Sequence, residues 1–431
     1  MKRWWWVGLA MLLMAVGAPL MWLIGSPVAR RATGPMRQEA YIWQRDWDDA
    51  VRQAITDRDG RIAQLTVLAA EVSWRQGQPE PTVVAVDYPA LAESGAAVGL
   101  ALRINAFGGP FAEDDAIAVQ LADLAARLIA EARQAGVDVA EFQVDFDAAT
   151  SKLQGYGKWL RAIRRRIDPT PLTITALPTW MNRDAFAGLV GQTDGYVLQV
   201  HSLERPETID EPVVLCHPAR ARRWAERAAR FDVRFRVALP TYGYVLAFDA
   251  AGRYLGISAE GEGRAWPAGA QLRVIRADAA AMARLIAAWR ADRPIQMRGV
   301  VWFRLPIARD WLNWPPQTLA AVMAGRPPTL DASVELARPD GGLIELTWVN
   351  HGEAAAPLDR AVTVTWPTGR PLAADGQGGY RWRYDGGRSG RFEPTRRLEQ
   401  AVLAPGRRHP IGWIRFEAAD MEVNADVEPN D

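Results

Sequence analysis

The sequence contains few cysteines, histidines and lysines, and each shortage excludes a class of site. Cys216 is the single cysteine and there are four histidines, so the chain cannot form an internal disulfide or a cysteine-rich zinc site. Only a metal site built on carboxylates remains open. The lysines are Lys2, Lys152 and Lys158, and none of them lies in a phosphate-binding loop motif. We therefore expect neither a structural metal nor a cofactor.

The charges of the chain are balanced. It has 51 Lys and Arg residues against 50 Asp and Glu residues, which gives a formal net charge of +1. A chain without a strong overall field does not attract nucleic acid, so we expect no DNA or RNA partner. The composition, 49% hydrophobic and 23% charged, is that of a globular protein and excludes a disordered chain. The length of 431 residues suits one large and one small domain.

An uncharged run covers residues 4–25, after Lys2 and Arg3 and before Arg30 and Arg31. It is long enough to span a bilayer as a helix and longer than the core of a cleaved signal peptide, about 7 to 15 residues. No convincing cleavage site follows it. We therefore expect residues 4–25 to anchor the chain in the inner membrane, with the rest in the periplasm. A cleaved signal that leaves a soluble periplasmic protein is the alternative, and a buried core helix is a third.

Between residues 38 and 326, short β-rich runs alternate with helical stretches. The clearest helical pattern covers residues 114–135, where apolar residues recur at helical spacing. Eight such units predict a parallel (β/α)8 barrel, whose typical length is about 250 residues. A doubly wound sheet would show a glycine-rich first turn, which is missing after Trp43. The predicted strands are 41–43, 65–69, 99–104, 141–146, 172–176, 196–200, 234–239 and 299–303.

The pattern changes after residue 326. Short alternating strands follow, separated by Gly, Pro and Asp turns and without a convincing helix, which predicts a small antiparallel β-sandwich. We expect four parts: an N-terminal anchor or signal over residues 1–30, the barrel over 38–326, the sandwich over 329–420, and a frayed acidic tail over 421–431.

The end of the fourth predicted strand carries two acids. Phe142, Val144 and Phe146 alternate with Gln143, Asp145 and Asp147, so the apolar side should pack on helices and the carboxylates should face the barrel interior. Residues two apart on a strand lie about 6.6 Å apart at Cα, which is close enough for one carboxylate to raise the pKa of the other. This arrangement predicts Asp147 as a general acid that Asp145 supports. The structural alternative is that both acids cap a helix or pair with arginines.

Other strand ends add polar side chains at the same face, which is where barrels carry their function. Glu71 is in phase with Leu65, Val67 and Ala69, so we expect it to point inward at the mouth as a nucleophile or base. For His201 a loop hydrogen bond is the plainer interpretation, and for Trp302 the barrel core is. Together, the candidates for substrate binding at the strand ends are Gln44, Arg103, Asn105, Gln199, His201, Tyr242, Trp302 and Arg304.

Nineteen tryptophans are the second indication of function. An indole face stacks on the C–H face of a sugar ring, while neighbouring acids and amides bind hydroxyls. Many of these tryptophans must belong to the core, for example Trp159 and Trp289. The candidates near strand ends are Trp43, Trp47, Trp74, Trp180 and Trp302.

Three motifs resemble the chitinase-type glycoside hydrolases of family 18. They are residues 142–147 on strand four, 238–243 on strand seven and 299–303 on strand eight. That family carries D-x-x-D-x-D-x-E on strand four, and if Asp145 and Asp147 are its last two aspartates, the catalytic glutamate falls on Ala149. Shifting the register by two residues places Asp147 at the glutamate's position, without the full set of preceding aspartates. The resemblance therefore implies the fold and does not carry over chitinase activity.

Most of the chain, including residues 40–45, 69–72 and the strand-four motif, looks closer to the bacterial domain-of-unknown-function family numbered 3142. This resemblance implies a glycosidase-like barrel and supplies no substrate. We expect an envelope-associated glycoside hydrolase that cleaves a polysaccharide or oligosaccharide. The alternative is a barrel that binds glycan or scaffolds an envelope assembly without catalysis, and Ala149 is its main support.

Overall fold

The computed structural model of the protein describes residues 30–260, 265–418 and 421–428. The predicted N-terminal anchor at residues 4–25 lies outside these ranges. Within them, no helix combines the length and the apolar character that a bilayer span requires.

Eight parallel strands close into a barrel, which confirms the predicted (β/α)8 fold. The first strand, β1, pairs with both β2 and β8, and the other strands pair with their neighbours in chain order. The strands are Arg37–Ile42 (β1), Ile62–Arg75 (β2), Ala97–Ile104 (β3), Val139–Phe146 (β4), Leu172–Ala176 (β5), Gly195–Gln199 (β6), Phe235–Pro240 (β7) and Met297–Phe303 (β8). A two-residue pair, Arg31–Ala32 with Arg293–Pro294, lies before β1 and β8.

One helix follows each strand. The helices are Asp49–Thr56 (α1), Tyr88–Glu93 (α2), Ala116–Gln134 (α3), Leu153–Ile167 (α4), Asp184–Val190 (α5), Pro218–Ala228 (α6), Ala279–Ala291 (α7) and Pro316–Met323 (α8). Aspartate side chains cap α1, α2, α3 and α7 by accepting a backbone N–H of the first turn. Short 3-10 turns cover Thr150–Lys152, Pro178–Asn182, Ala229–Phe231 and Arg396–Leu398.

Two additions enlarge the mouth, the face where the strands end. Strand β2 continues into a hairpin with the antiparallel strand Gln78–Val83. Between β7 and α7 the chain forms a three-stranded antiparallel sheet from Gly243–Phe248, Tyr254–Ser258 and Gln271–Arg276. Because both segments follow the carboxyl ends of barrel strands, they border the site region.

The two faces of β4 divide as predicted. Phe142, Val144 and Phe146 are buried in the core between sheet and helices, where Phe146 packs on Trp159 of α4. The opposite face points into the barrel, where the amide of Gln143 donates a hydrogen bond to the hydroxyl of Tyr41 at 2.8 Å.

The phase predicted for β2 is wrong over its first half. Leu65 and Val67 belong to the core beneath the helices, whereas Gln64 faces the barrel interior and contacts Glu141. A register shift between Leu68 and Ala70 changes the phase. Glu71 therefore points inward because of this irregularity, and not because it continues the alternation of Leu65 and Val67.

The barrel interior near the strand starts holds buried charges. The guanidinium of Arg236 on β7 pairs with Glu39 of β1 and, at 2.8 Å, with Glu141 of β4. The amide of Gln64 donates a second hydrogen bond to Glu141 at 2.8 Å. Burial raises the pKa of Glu39, while Arg236 acts in the opposite direction. A closed charge network thus occupies positions where most barrels of this kind carry apolar residues.

The C-terminal region forms two four-stranded antiparallel sheets around one core, as the predicted β-sandwich requires. The first sheet contains Ala332–Ala337, Leu343–Asn350, Arg408–Arg415 and Ala373–Gly376; the second contains Tyr380–Gly386, Ser389–Pro394, Val362–Thr365 and Asn424–Val427. A short pair joins Ala356–Pro357 to Val402–Leu403. The prediction of a frayed tail from residue 421 is wrong, because Asn424–Val427 pairs with Val362–Thr365 at the sheet edge.

Candidate active site

Three charged residues lie side by side at the mouth, on the neighbouring strands β2, β3 and β4. The strand register pairs Glu71 with Arg103 and Arg103 with Asp145. The guanidinium of Arg103 lies 3.3 Å from Oδ2 of Asp145 and 3.9 Å from Oε1 of Glu71. The cation of Arg103 thus lies between two of the three predicted acids, Glu71 and Asp145.

Asp145 is almost fully buried, with 7% of the residue exposed. The hydroxyl of Thr175 on β5 donates a hydrogen bond to its Oδ1 at 2.7 Å. Burial raises the pKa of Asp145, and repulsion from Asp147 and Glu71 adds to this effect, while Arg103 and the Thr175 hydroxyl oppose it. The result is a carboxyl group that holds its proton more tightly than an exposed aspartate does.

Asp147 lies just beyond the end of β4 and is exposed to solvent. Among the described residues, its carboxylate has no hydrogen-bond or ion-pair partner. Of the three predicted catalytic acids, it is the most exposed, since Glu71 is half-buried and Asp145 is buried.

Glu71 is held by an arginine that precedes α1. Arg45 contacts it through two parallel interactions, Nε to Oε2 at 2.5 Å and Nη2 to Oε1 at 2.9 Å. This two-pronged geometry fixes the carboxylate in position. Arg45 itself is 64% exposed in its side chain, so the pair lies at the edge of the mouth.

A cleft of about 490 Å³ opens over this side of the mouth. It joins the ends of β1, β2, β3 and β8 to the β2 hairpin. Its lining combines aromatic faces, a carboxylate, two guanidinium groups and an amide: Trp43, Arg45, Glu71, Ser73, Thr82, Arg103, Asn105 and Phe303. Trp43, Arg103 and Asn105 are therefore placed where the sequence predicted binding residues.

Aromatic rings cover the part of the mouth next to the cleft, at the ends of β6, β7 and β8. His201 stacks on Phe303 with centroids 5.6 Å apart, and its Nδ1 lies 3.0 Å from the hydroxyl of Tyr242. Burial lowers the pKa of His201 to about 4, so its ring is neutral at pH 7. Burial also raises the pKa of the Tyr242 hydroxyl. These two predicted residues form one uncharged pair.

Three other predicted residues stand apart from the acids. Gln199 is half-buried at the end of β6. Arg304 pairs with Asp310 at 2.7 Å and thus does not neutralise the catalytic candidates. Gln44 is 5% exposed, and neither polar atom of its amide has a hydrogen-bond partner among the described residues.

Three predicted tryptophans pack into structure instead of lining the cleft. Trp302 points outward from β8, is fully buried, and donates its indole N–H to Gln38 at 2.9 Å, which corrects its predicted inward orientation. The residue that points inward is its neighbour Phe303. Trp180 is 1% exposed. Trp74 stacks on Phe107 with centroids 4.1 Å apart, on the helix side of the β2 hairpin.

Sequence reasoning missed Thr175, Phe303 and Arg45 as members of the site. Thr175 occupies the inward phase of β5, which could have indicated it. Phe303 follows Trp302 directly, and because both side chains are large and apolar, the sequence does not show which of them faces inward. Arg45 lies in a loop, where no periodicity fixes its direction. Among the described residues, no group of three or more His, Cys, Asp or Glu side chains is arranged to hold a metal ion.

Two parts of the chain match known families. Residues 101–308 match the family described as "Domain of unknown function (DUF3142)", which confirms the resemblance inferred from the sequence. Residues 333–417 match a second family of the same kind, "Domain of unknown function (DUF8456)". No curated protein matches the chain.

Solved structures with a similar fold include family 18 enzymes. The spore cortex-lytic enzyme SleL of Bacillus cereus is 13% identical, with 68% of this chain and 75% of that chain covered and a TM-score of 0.46. A family GH18 chitinase of Chromobacterium violaceum is 12% identical, with 92% and 91% covered and a TM-score of 0.40. The GH18 chitinase ChiB of Flavobacterium johnsoniae is 11% identical, with 68% and 94% covered and a TM-score of 0.43.

Proposed function

We propose that this chain is an envelope-associated glycoside hydrolase that binds a polysaccharide or oligosaccharide in the mouth cleft. The observation that carries the proposal is the unequal pair on β4. Asp145 is buried between Thr175 and Arg103, and Asp147 lies exposed two residues further on, at the same mouth as Glu71. Pairs of carboxyl groups in different environments divide the tasks of proton donor and ionised partner.

In this proposal Asp147 donates a proton to the glycosidic oxygen as the bond to the leaving sugar breaks. Asp145, whose pKa is raised by burial, keeps its proton where an exposed aspartate has lost it, and in this proposal it passes that proton to Asp147 for the transfer. Glu71 supplies the second carboxylate, either as the nucleophile that attacks the anomeric carbon or as the base that removes a proton from the attacking water. Trp43 offers a ring face to the sugar, and Asn105 offers an amide to its hydroxyls.

The location in the envelope is a separate part of the proposal. It rests on the uncharged run at residues 4–25, which would place the barrel in the periplasm, anchored in the inner membrane or released after signal cleavage. Extraction of cell membranes at high salt and at alkaline pH, followed by N-terminal sequencing, distinguishes the two forms. Recovery of the protein from the cytoplasm with an intact N-terminus would contradict both.

The catalytic proposal is tested with the full chain purified in detergent. A screen of cell-envelope and capsular glycans for release of reducing ends should identify a substrate, and Asp147→Asn should abolish the release. Asp138→Asn is the matched control, because Asp138 is an exposed aspartate just before β4, at the opposite end of the same strand. Equal release by Asp147→Asn and the wild type would remove Asp147 from the mechanism.

A specific observation favours a second candidate, a barrel that binds glycan without cleaving it. Arg45 and Arg103 both contact Glu71, and Ala149 stands where family 18 enzymes place their glutamate. A non-catalytic barrel would bind an envelope glycan in calorimetry and release no reducing ends from it. Binding with release, lost in Asp147→Asn, would reject this candidate.

A further inference from the structure

A groove of about 710 Å³ lies between the barrel and the sandwich. One wall comes from the strand Gln271–Arg276 and from the loop between β8 and α8, and the other comes from residues 396–404. Gln400 joins the walls: its Oε1 accepts the backbone N–H of Val274 at 2.8 Å, and its Nε2 donates to the carbonyl of Leu272 at 3.0 Å. These two hydrogen bonds hold the walls of the groove together.

An exposed tryptophan stands in this groove. Trp311 is 54% exposed, in contrast to the buried tryptophans of the two cores. The carboxylate of Glu260 accepts the backbone N–H groups of Trp311 and Leu312 at 2.9 and 2.6 Å, which fixes the loop. The guanidinium of Arg276 lies over the indole, 5.9 Å from the ring centroid. A fixed, exposed indole is a ready platform for the apolar face of a sugar ring.

Two arginines line the same groove from the sandwich side. Arg396 and Arg397 are exposed on the 3-10 turn, and neither side chain forms an ion pair with another residue in the described part of the chain. The acids of the lining compensate little, since Asp310 is already paired with Arg304 at 2.7 Å and Glu399 is a single exposed carboxylate. The sandwich wall therefore presents unpaired guanidinium groups, which bind carboxylates well.

One segment after β8 contributes to both the mouth cleft and the groove. Phe303 lines the mouth cleft, Arg304 follows it directly, and the partner of Arg304, Asp310, lines the groove next to Trp311. Residues 303–311 therefore connect the lining of the mouth cleft to that of the groove.

We propose that the groove is a second glycan-binding site, which extends the mouth cleft and takes sugar residues that carry a carboxylate. A sugar ring stacks on Trp311, and its carboxylate is bound by Arg396 and Arg397. The proposal rests on the proposed function in assuming a glycan, and it deepens that function by naming the substrate class as an acidic polysaccharide rich in uronic acids.

The test measures binding by calorimetry with the full chain in detergent. The probes are oligosaccharides of galacturonate, mannuronate and glucuronate, each compared with its uncharged methyl ester. The wild type should bind at least one acid form more tightly than its ester. Trp311→Ala should weaken that binding about tenfold, a typical effect of truncating a central aromatic contact. The double variant R396Q/R397Q should remove the preference for the acid, whereas the control Arg381→Gln, an exposed arginine elsewhere on the sandwich, should retain it.

Equal binding of every acid and ester by the wild type would overturn the proposal, as would unchanged binding by both Trp311→Ala and R396Q/R397Q. Trp311→Phe, which keeps an aromatic face, should retain most of the affinity and excludes loss through misfolding. The outcome is read from binding alone and does not depend on release of reducing ends. Binding that depends on Trp311, without release of reducing ends, would support the glycan-binding site in the groove and contradict the proposed hydrolase function.

Discussion

Arg45, at the edge of the mouth, donates two hydrogen bonds to the carboxylate of Glu71, from Nε to Oε2 at 2.5 Å and from Nη2 to Oε1 at 2.9 Å. The pair bears directly on the proposed chemistry. If Glu71 acts on the substrate, Arg45 holds the Glu71 carboxylate in position. If the barrel only binds glycan, Arg45 simply neutralises the charge of Glu71.

Arg45→Met should therefore lower kcat for the glycan that the wild type cleaves. Its effect on the free energy of unfolding should stay below about 1 kcal/mol, because an exposed ion pair contributes little to stability. The control is Arg75→Met, which removes an exposed ion pair with Glu80 in the hairpin that continues β2. This variant should leave kcat unchanged. Equal kcat values for Arg45→Met and the wild type would show that Glu71 needs no such support.

Thr175→Val should destabilise the protein by about 1 to 3 kcal/mol at neutral pH, because it removes a hydrogen bond to a buried carboxyl group. The pKa of Asp145 is already raised in the folded state, so the stability associated with its neutral form is lost as pH rises. The variant should raise this pKa further, and the difference from the wild type should therefore grow with pH in chemical denaturation.

The neighbouring threonine provides the control for this experiment. The hydroxyl of Thr173 is buried and has no hydrogen-bond partner among the described residues, so Thr173→Val should cost little stability. A loss in Thr175→Val that matches that in Thr173→Val, or that does not change with pH, would contradict the assignment of the Thr175 hydroxyl.

Arg236→Met should be severely destabilising, by about 3 to 5 kcal/mol, because it removes the cation of the buried carboxylate of Glu141 and one of the two cations of Glu39, which keeps only the half-exposed Arg37. Acidification should recover part of this loss, since the two glutamates can then take up protons. The matched control is Arg234→Met on the exposed side of the same chain segment, which should change the unfolding free energy by less than about 0.5 kcal/mol. Similar losses in both variants would argue against the network.

His201→Gln should flatten the dependence of stability on pH. The pKa of His201 is lowered to about 4 by burial, from 6.5 for an exposed histidine. The stability that the neutral ring contributes is complete above the unfolded pKa and is lost as pH falls toward 4, by up to about 3 kcal/mol. Denaturation of the wild type between about pH 7 and pH 4 should show this loss. His201→Gln should not show it, while the exposed control His351→Gln should retain it.

Several parts of the site followed from the sequence because they depend on local periodicity. The alternation on β4 predicted that Phe142, Val144 and Phe146 face the helices and that Asp145 faces the interior, and a strand leaves no other choice when one face is apolar. Arg103 and Asn105 occupy the expected phase of β3 in the same way.

The failures lie where local periodicity is interrupted or has no meaning. The register shift in β2 puts Glu71 on the opposite face from Leu65 and Val67. No hydrophobic pattern reveals such a shift, since both faces of a barrel strand are buried. Trp302 and Phe303 are both large and apolar, so their composition could not decide which of them faces inward. Arg45 reaches Glu71 from a loop, whose direction depends on the rest of the fold.

The sequence by itself determined the order of strands and helices, and with it the (β/α)8 barrel, because alternation and helical spacing are properties of consecutive residues. Only the tertiary structure decided which distant groups meet. It placed Arg103 between Glu71 and Asp145, set Thr175 against Asp145, paired Arg304 with Asp310, and formed the groove at Trp311 from two domains. These contacts join residues far apart in the chain, and their geometry follows from closure of the barrel and docking of the sandwich, which no local pattern encodes.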